Sequence, residues 1–155
     1  MTLPPPPIRP AAKAVIIRDD QLLVVANHDA DGTWYILPGG GQNYGETLPE
    51  TLQRECEEEI GTQVEIGRLL WIREYIGPHH EFAQTDHAHQ IEFMFACQVP
   101  KDYEPRLGTL PDGNQHGVAW LPLTELDRQR LYPARLKKLL VTAWDQDQVY
   151  LGDIN

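Results

Sequence analysis

Several features that would assign the sequence to a class at once are missing from it. It has two cysteines in 155 residues, Cys56 and Cys97, which do not form a CxxC pair, so we expect reduced thiols and no disulfide framework. No apolar run is long enough to cross a bilayer, and Met1–Pro10 lacks the basic and then apolar segments of a signal peptide. These absences predict a cytoplasmic protein that does not bind membranes.

Positive charge is also scarce. The chain has 13 lysines and arginines against 23 aspartates and glutamates, which gives a formal net charge of -10. This balance disfavours binding to nucleic-acid backbones, so we expect a small-molecule partner and no stable nucleic-acid partner. A phosphate-bearing ligand would need a cation beside it.

The length fits one domain. Met1–Pro10 contains four consecutive prolines and is predicted to be an extended arm, with a single domain over residues 11–155. Serine nucleophile elbows, P-loops and dinucleotide-binding glycine motifs are absent from the sequence.

Apolar patterning predicts strands at residues 12–18, 21–27, 34–37, 64–76, 90–99 and 118–121, with Asp19–Asp20 as a hairpin turn between the first two. Helical spacing covers residues 47–60 and 131–144. In the second helix Leu136, Leu139 and Leu140 are expected to face inward, and Arg135, Lys137 and Lys138 outward. The order predicts an α/β (mixed α+β) fold in which helices cover a mixed sheet.

The sequence RECEEEIG at residues 54–61 crowds glutamates at the end of the first predicted helix. On a helical wheel Leu48, Leu52, Cys56 and Ile60 form an apolar stripe. Glu55, Glu58 and Glu59 lie in an arc beside that stripe, whereas Glu57 points away. Like charges at this spacing repel one another, and the helix dipole adds to the penalty. A divalent cation would offset both the repulsion between the glutamates and the unfavourable effect of the dipole. The alternative interpretation is a solvated acidic face of the helix.

The preceding segment, LPGGGQNYGET at residues 37–47, is a glycine-rich turn between a strand and a helix, which suits close approach of a ligand. Residues 40–62 resemble the Nudix box, Gly-x5-Glu-x7-Arg-Glu-U-x-Glu-Glu-x-Gly-U, where U is a bulky aliphatic residue. The fixed positions are matched by Gly40, Glu46, Arg54, Glu55, Glu58, Glu59 and Gly61. Cys56 and Thr62 stand at the two U positions and depart from the pattern.

The resemblance implies a Nudix-type α/β/α sandwich and Mg²⁺-dependent hydrolysis of a pyrophosphate bond, with Mn²⁺ as a substitute. The substrate would be a nucleoside diphosphate linked to another group, and a nucleoside monophosphate would be released. Glu55, Glu58 and Glu59 would hold the metal, and Arg54 would orient them through an ion pair with Glu46. Glu58 and Glu55 are the candidate general bases, and the alternatives on loops are Glu81, Asp86 and Asp112.

Substrate contacts are predicted less directly, at Gly39, Gly40, Glu46, Tyr35, His79 and His80. Pro78 lies sixteen residues after Thr62, a spacing similar to that of family members that cleave ADP-ribose. Nucleoside di- and triphosphates, ADP-ribose or other nucleotide sugars, and dinucleoside polyphosphates all stay open. Aromatic rings that could stack on a base belong to Tyr35, Tyr44, Tyr75 and Phe82.

The loop between the fourth and fifth predicted strands holds four histidines, His79, His80, His87 and His89. A zinc site is one interpretation. The favoured one is neutral histidines in a polar loop, which at the rim of a substrate cleft could donate hydrogen bonds to phosphate. Two further alternatives concern the whole chain: a non-catalytic Nudix-fold nucleotide sensor, and an acidic interaction domain without a ligand. Dimers are common among the proteins that the chain resembles, so a homodimer is also an expectation.

Overall fold

The computed structural model of the chain describes residues 1–142 and 147–155. These residues form nine strands and two helices. The strands are β1 (Arg9–Arg18), β2 (Gln21–Asp29), β3 (Gly32–Ile36), β4 (Gly39–Gly41), β5 (Glu65–Ile76), β6 (His89–Gln98), β7 (Gln115–Pro122), β8 (Leu131–Tyr132) and β9 (Tyr150–Asp153). The helices are α1 (Leu48–Ile60) and α2 (Leu136–Leu139), and short 3-10 turns cover Gly77–His79 and Leu123–Arg128.

The strands form a mixed sheet in the order β8-β3-β2-β1-β6-β5-β9, with β4 paired to β1 and β7 paired to β2. Three neighbouring pairs are parallel, β1 with β6, β3 with β8 and β5 with β9, and the others are antiparallel. One buried cluster includes Leu52 and Cys56 of α1, and a second includes Leu126 and Leu136 near α2. The predicted mixed α+β fold is confirmed.

The hairpin between β1 and β2 is also confirmed. Arg18 pairs with Gln21, and Asp19 and Asp20 between them have φ values of 51° and 58°, as a two-residue type I′ turn requires. Strand β1 begins at Arg9, which pairs with Gln90 of β6, so the last two residues of the predicted arm belong to the sheet, and the division into an arm and a domain stays a prediction.

Helix α1 agrees with the prediction because several local signals coincide. Thr47 caps its N-terminus in a capping box with Glu50. The helix ends at Gly61, whose φ of 72° is left-handed. Three of the four residues of the predicted apolar stripe, Leu52, Cys56 and Ile60, are each 0% exposed, and Leu48 is partly buried against them.

The helix predicted over residues 131–144 is wrong over much of its length. Leu131 and Tyr132 form β8 beside β3, since Pro133 cannot occupy the interior of a helix. The regular helix α2 covers only Leu136–Leu139, and residues 143 and 144 lie outside the described part. The inward orientation of Leu136 and Leu140 is confirmed by their burial. In the described residues, no helix is long and apolar enough to span a membrane.

Candidate active site

The glycine-rich strand β4 and the second half of α1 form one wall of the candidate site. Strand β4 pairs with β1, so that Gly40 lies opposite Ala12. A Cβ atom at residue 40 would be 2.5 Å from the carboxylate carbon of Glu55. The absence of a side chain at Gly40 therefore makes room for the Glu55 carboxylate against the strand.

Arg54 connects the acidic residues of this wall. Its Nε donates to Glu46 Oε1 at 2.6 Å, and its Nη2 donates to Glu46 Oε2 at 3.0 Å. Nη1 donates to Glu55 at 2.8 Å and to Glu58 at 3.4 Å, and Nη2 also reaches the Gly41 carbonyl oxygen at 2.9 Å. The predicted ion pair of Arg54 with Glu46 is thus present. The hydrogen bonds from Arg54 hold the pKa of Glu46 down at about 2.

Glu59 lies apart from this network and is 1% exposed. Its Oε1 accepts a hydrogen bond of 2.9 Å from the Gly39 amide, and its Oε2 accepts one from Gln115 Nε2. Burial raises the pKa of Glu59 to about 7, against the opposing effects of Lys13 and of these two hydrogen bonds. A proton can therefore leave or join this carboxylate near neutral pH.

The three glutamates predicted to hold a metal are only partly brought together. Glu55 and Glu58 converge on the same positive centre, Arg54 Nη1, whereas both oxygens of Glu59 are engaged elsewhere. Among the residues that the structure describes, no group of three or more His, Cys, Asp or Glu side chains is arranged to hold a metal ion. The donor chemistry of the Glu55 and Glu58 pair fits a hard divalent cation, so metal binding by all three stays a prediction.

The structure also contains a cavity of about 510 Å³, and its size is that of a small-molecule site. None of the three glutamates lines it. Lys13 joins the two regions, because it lines the cavity and its Nζ lies 3.2 Å from the Gly39 carbonyl oxygen. The lining residues are Lys13, Asp29, Trp34, Ile36, Arg73, Tyr75, Phe82, Asp86, Ala88, Gln90, Glu92, Arg130, Tyr132 and Asn155.

The predicted aromatic contacts fall into three groups. Tyr75 and Phe82 line the cavity, whereas Tyr44 is fully exposed. Tyr35 is not among the residues that line the cavity and packs against the hydrophobic core, so its contact with the substrate stays a prediction. Side chains alternate along a strand, so that its neighbour Trp34 faces the cavity instead.

The histidines do not converge on a zinc site in the described ranges. His79 and His80 bind the two oxygens of Asp153, at 2.8 and 2.6 Å, and His89 binds Glu74 at 3.0 Å. Neither His79 nor His80 is among the residues that line the cavity. Their predicted contact with phosphate is not provided by this arrangement.

The candidate bases on loops are also dispersed. Asp86 lines the cavity and accepts a hydrogen bond of 2.6 Å from the Tyr75 hydroxyl. Glu81 accepts one of 3.2 Å from Asn155 and is exposed, and Asp112 is exposed. Asp86 is therefore the one of these three that lies at the cavity.

Two polar residues near Glu59 were missed by the sequence analysis. Gln115 donates to Glu59, and it pairs across the sheet with Asn27. Asn27 is 4% exposed, and its Nδ2 has no hydrogen-bond partner in the described part of the chain. The available signal was a polar residue that ends the apolar run LLVVAN at residues 22–27.

Comparisons with known proteins agree with this fold. The chain is 35% identical over 132 residues to the human 8-oxo-dGDP phosphatase NUDT18, a match that covers 79% of this chain and 37% of that protein. Among solved structures, a NUDIX hydrolase from Nitrosomonas europaea has a TM-score of 0.70 at 20% identity, covering 93% of both chains. An ADP-ribose pyrophosphatase from Streptococcus suis has a TM-score of 0.61 at 20% identity, covering 94% of this chain and 98% of that one.

The chain spans little more than a third of the length of the human relative that it matches. The likeness to the two solved structures concerns the fold. The NUDIX domain family matches residues 7–142, which is most of the chain. The chain therefore belongs to the NUDIX domain family.

Proposed function

We propose that the chain hydrolyses a pyrophosphate bond in a nucleoside diphosphate linked to another group, using Mg²⁺ and releasing a nucleoside monophosphate. The observation that carries this proposal is the network in which Arg54 gathers Glu46, Glu55 and Glu58 against β4, a strand that Lys13 connects to a cavity of about 510 Å³. The cavity has room for a nucleoside, and the acidic wall has the oxygen donors that Mg²⁺ prefers.

Glu55 and Glu58 would hold the metal, and Glu59 would join them or balance charge from its buried position. When bound, the ion supplies charge for the phosphate oxygens and lowers the pKa of a coordinated water. Arg54 acts as a positioning residue, because its guanidinium fixes two of the carboxylates and is itself anchored by Glu46. Glu58 and Glu55 stay our candidate bases, and Asp86 is the alternative at the cavity.

The name of the human relative, an 8-oxo-dGDP phosphatase, supports a nucleoside diphosphate as the substrate class. The solved ADP-ribose pyrophosphatase shares the fold, and Pro78 has the spacing described above. Of the two, we favour nucleoside diphosphates, because the relative named for that substrate is more similar in sequence. We propose a small nucleotide, and no nucleic acid, as the partner.

A panel experiment tests the proposal. The protein is incubated with Mg²⁺ or Mn²⁺ and with nucleoside di- and triphosphates, including 8-oxo-dGDP, nucleotide sugars, including ADP-ribose, and dinucleoside polyphosphates. Products are identified by mass. We expect a nucleoside monophosphate to appear with metal and not with EDTA. Absence of metal-dependent turnover across the panel would contradict the proposal, and nucleotide binding without turnover would identify the chain as a sensor.

A further inference from the structure

The cationic side chains on the cavity wall differ in whether a carboxylate is paired with them. Three cationic side chains, Lys13, Arg73 and Arg130, line the cavity. Arg73 is paired with Glu92 at 2.7 Å, and Arg130 is paired with Asp29 at 3.0 Å. Lys13 has no such carboxylate partner within 4.0 Å among the residues described here.

The two hydrogen bonds that Lys13 donates do not use all of its N–H groups. Its Nζ donates to the carbonyl oxygens of Gly39 and Leu37, at 3.2 and 3.5 Å. An ammonium group carries three N–H donors, so these two acceptors leave one donor for another group, while the carboxylates of Glu59 and Glu92 interact with its charge from a distance. No carboxylate contacts the ammonium group directly in the described residues, so an anion that enters from the cavity can accept a hydrogen bond from the remaining donor.

The position of Lys13 connects the cavity with the acidic wall. Gly39 accepts a hydrogen bond from Lys13 through its carbonyl oxygen, and its amide donates one to Glu59. A single residue of β4 therefore separates the ammonium group from the buried carboxylate. Lys13 therefore contacts both the cavity and the strand against which the acidic wall is built.

We propose that Lys13 binds the phosphate that is attached to the nucleoside of the substrate. The nucleoside occupies the cavity beside Trp34 and Tyr75, its first phosphate contacts Lys13, and the bond to be cleaved reaches the wall formed by Glu55 and Glu58. Lys13 is thus a positioning residue. This inference rests on the proposed function for the direction of the ligand, but the phosphate contact itself can be measured without hydrolysis.

Equilibrium binding tests the contact. Calorimetry in EDTA compares wild type, Lys13→Met and Lys13→Arg for two pairs of ligands, 8-oxo-dGMP with 8-oxo-deoxyguanosine and AMP with adenosine. We expect Lys13→Met to weaken binding of the monophosphate by about tenfold or more, as loss of a charge-assisted hydrogen bond would. Binding of the matching nucleoside should stay within about twofold of wild type, and Lys13→Arg should restore much of the preference for phosphate.

Lys101→Met is the matched control. Lys101 is exposed and does not line the cavity, and its substitution by methionine changes the net charge by the same amount as Lys13→Met. If Lys13→Met does not fold, Lys13→Gln provides the uncharged variant, and thermal melting identifies a folded protein. Where turnover is found, Lys13→Met should raise KM more than it lowers kcat.

Three results would overturn the inference. The first is a folded uncharged variant with the wild-type preference for monophosphate over nucleoside. The second is an equal loss of affinity in Lys101→Met, which would assign the effect to net charge. The third is failure of the wild type to bind any of the four ligands. The proposed hydrolysis is judged separately by turnover with metal, so Lys13 can fail while hydrolysis stands, and the phosphate contact can hold in a protein without turnover.

Discussion

The carboxylate of Glu55 lies against Gly40, where a Cβ atom would be within 2.5 to 2.7 Å of its carbon and both oxygens. The contact explains why the strand before the acidic helix contains glycine at this position. Arg54 holds the same carboxylate from the other direction at 2.8 Å. The position of a proposed metal ligand is therefore determined by one glycine and one arginine.

Gly40→Ala should reduce activity with little effect on stability. The atoms that the new methyl group would meet are the end of a flexible side chain, so Glu55 can move while the backbone stays. We expect kcat/KM to fall by about tenfold or more, as displacement of a metal ligand would cause, and the melting temperature to change by only a few degrees.

Gly39→Ala is the matched comparison. Its Cβ would be 2.1 Å from the carbonyl oxygen of Ala12, and Gly39 has a φ of 131°, so this variant should lose stability by several kcal/mol. Thermal melts measure the loss of stability in both variants, and initial rates measure the loss of activity. Wild-type activity in Gly40→Ala would show that Glu55 needs no defined position.

The pairing of Glu46 with Arg54 predicts a loss of stability in acid. The pKa of Glu46 is about 2 in the folded chain, mainly because of the hydrogen bonds from Arg54, and its ordinary value is 4.5. Between pH 4.5 and about pH 2 the unfolded chain binds more protons at residue 46 than the folded chain does. The stabilisation is therefore fully present above pH 4.5 and is lost as the pH falls towards 2.

Glu46→Gln should remove this dependence. Urea unfolding at a series of pH values in this range measures it as the difference in free energy of unfolding between the two proteins, which should shrink as the pH falls. A constant difference would show that the ion pair does not contribute through the charge of Glu46.

The residues of the acidic helix could be predicted because their signals are local. Thr47 and Glu50 form the cap, Leu52 and Cys56 repeat at helical spacing, and Gly61 ends the helix. The second helix was predicted too long for a local reason as well, since its leucines have the right spacing while Pro133 precedes the observed helix. In this segment Pro133 prevents the helix from including Leu131 and Tyr132, and this effect overrides the helical spacing of the leucines.

The cavity could not be predicted in the same way. Lys13, Arg73 and Arg130 come from distant parts of the chain. They meet because β6 lies between β1 and β5 in the sheet and because Arg130 is paired with Asp29 of β2. Such pairing is not encoded in a short pattern. The choice between Trp34 and Tyr35 likewise depends on which face of β3 turns to the core, and both residues are aromatic.

The buried carboxylate of Glu59 predicts the opposite pH dependence to that of Glu46. Burial raises its pKa to about 7 in the folded chain, from an ordinary value of 4.5. Between these values the folded chain binds more protons than the unfolded chain, so stability should fall as the pH rises through this window. Glu59→Gln should lack this decline and should be relatively more stable at the upper end.

Unfolding by urea in EDTA, from pH 4.5 to 7 and slightly above, measures the effect without competition from metal. A wild type that gains stability over Glu59→Gln as the pH rises would reject a raised pKa. The same variant should lose Mg²⁺-dependent activity, which would separate the role of Glu59 in the reaction from its cost to the fold.

The neighbouring glutamates Glu57 and Glu58 allow a test of the acidic wall within one helical turn. Glu58 is bound to Arg54 at 3.4 Å, whereas Glu57 is exposed and accepts a hydrogen bond from Gln63. Glu58→Gln should lower kcat by at least about a hundredfold, because it removes a metal ligand or the base. Glu57→Gln removes one carboxylate from the same helix and should leave kcat within about twofold.

Initial rates at saturating Mg²⁺ and substrate, with circular dichroism to show that both variants fold, measure this difference. Addition of Mn²⁺ should not restore Glu58→Gln, since a neutral amide does not replace the charge that the cation requires. Equal losses in the two variants would mean that the total negative charge of the helix matters and that no individual carboxylate does. Wild-type turnover in Glu58→Gln would remove Glu58 from the site and leave Glu55 as the candidate base on the helix.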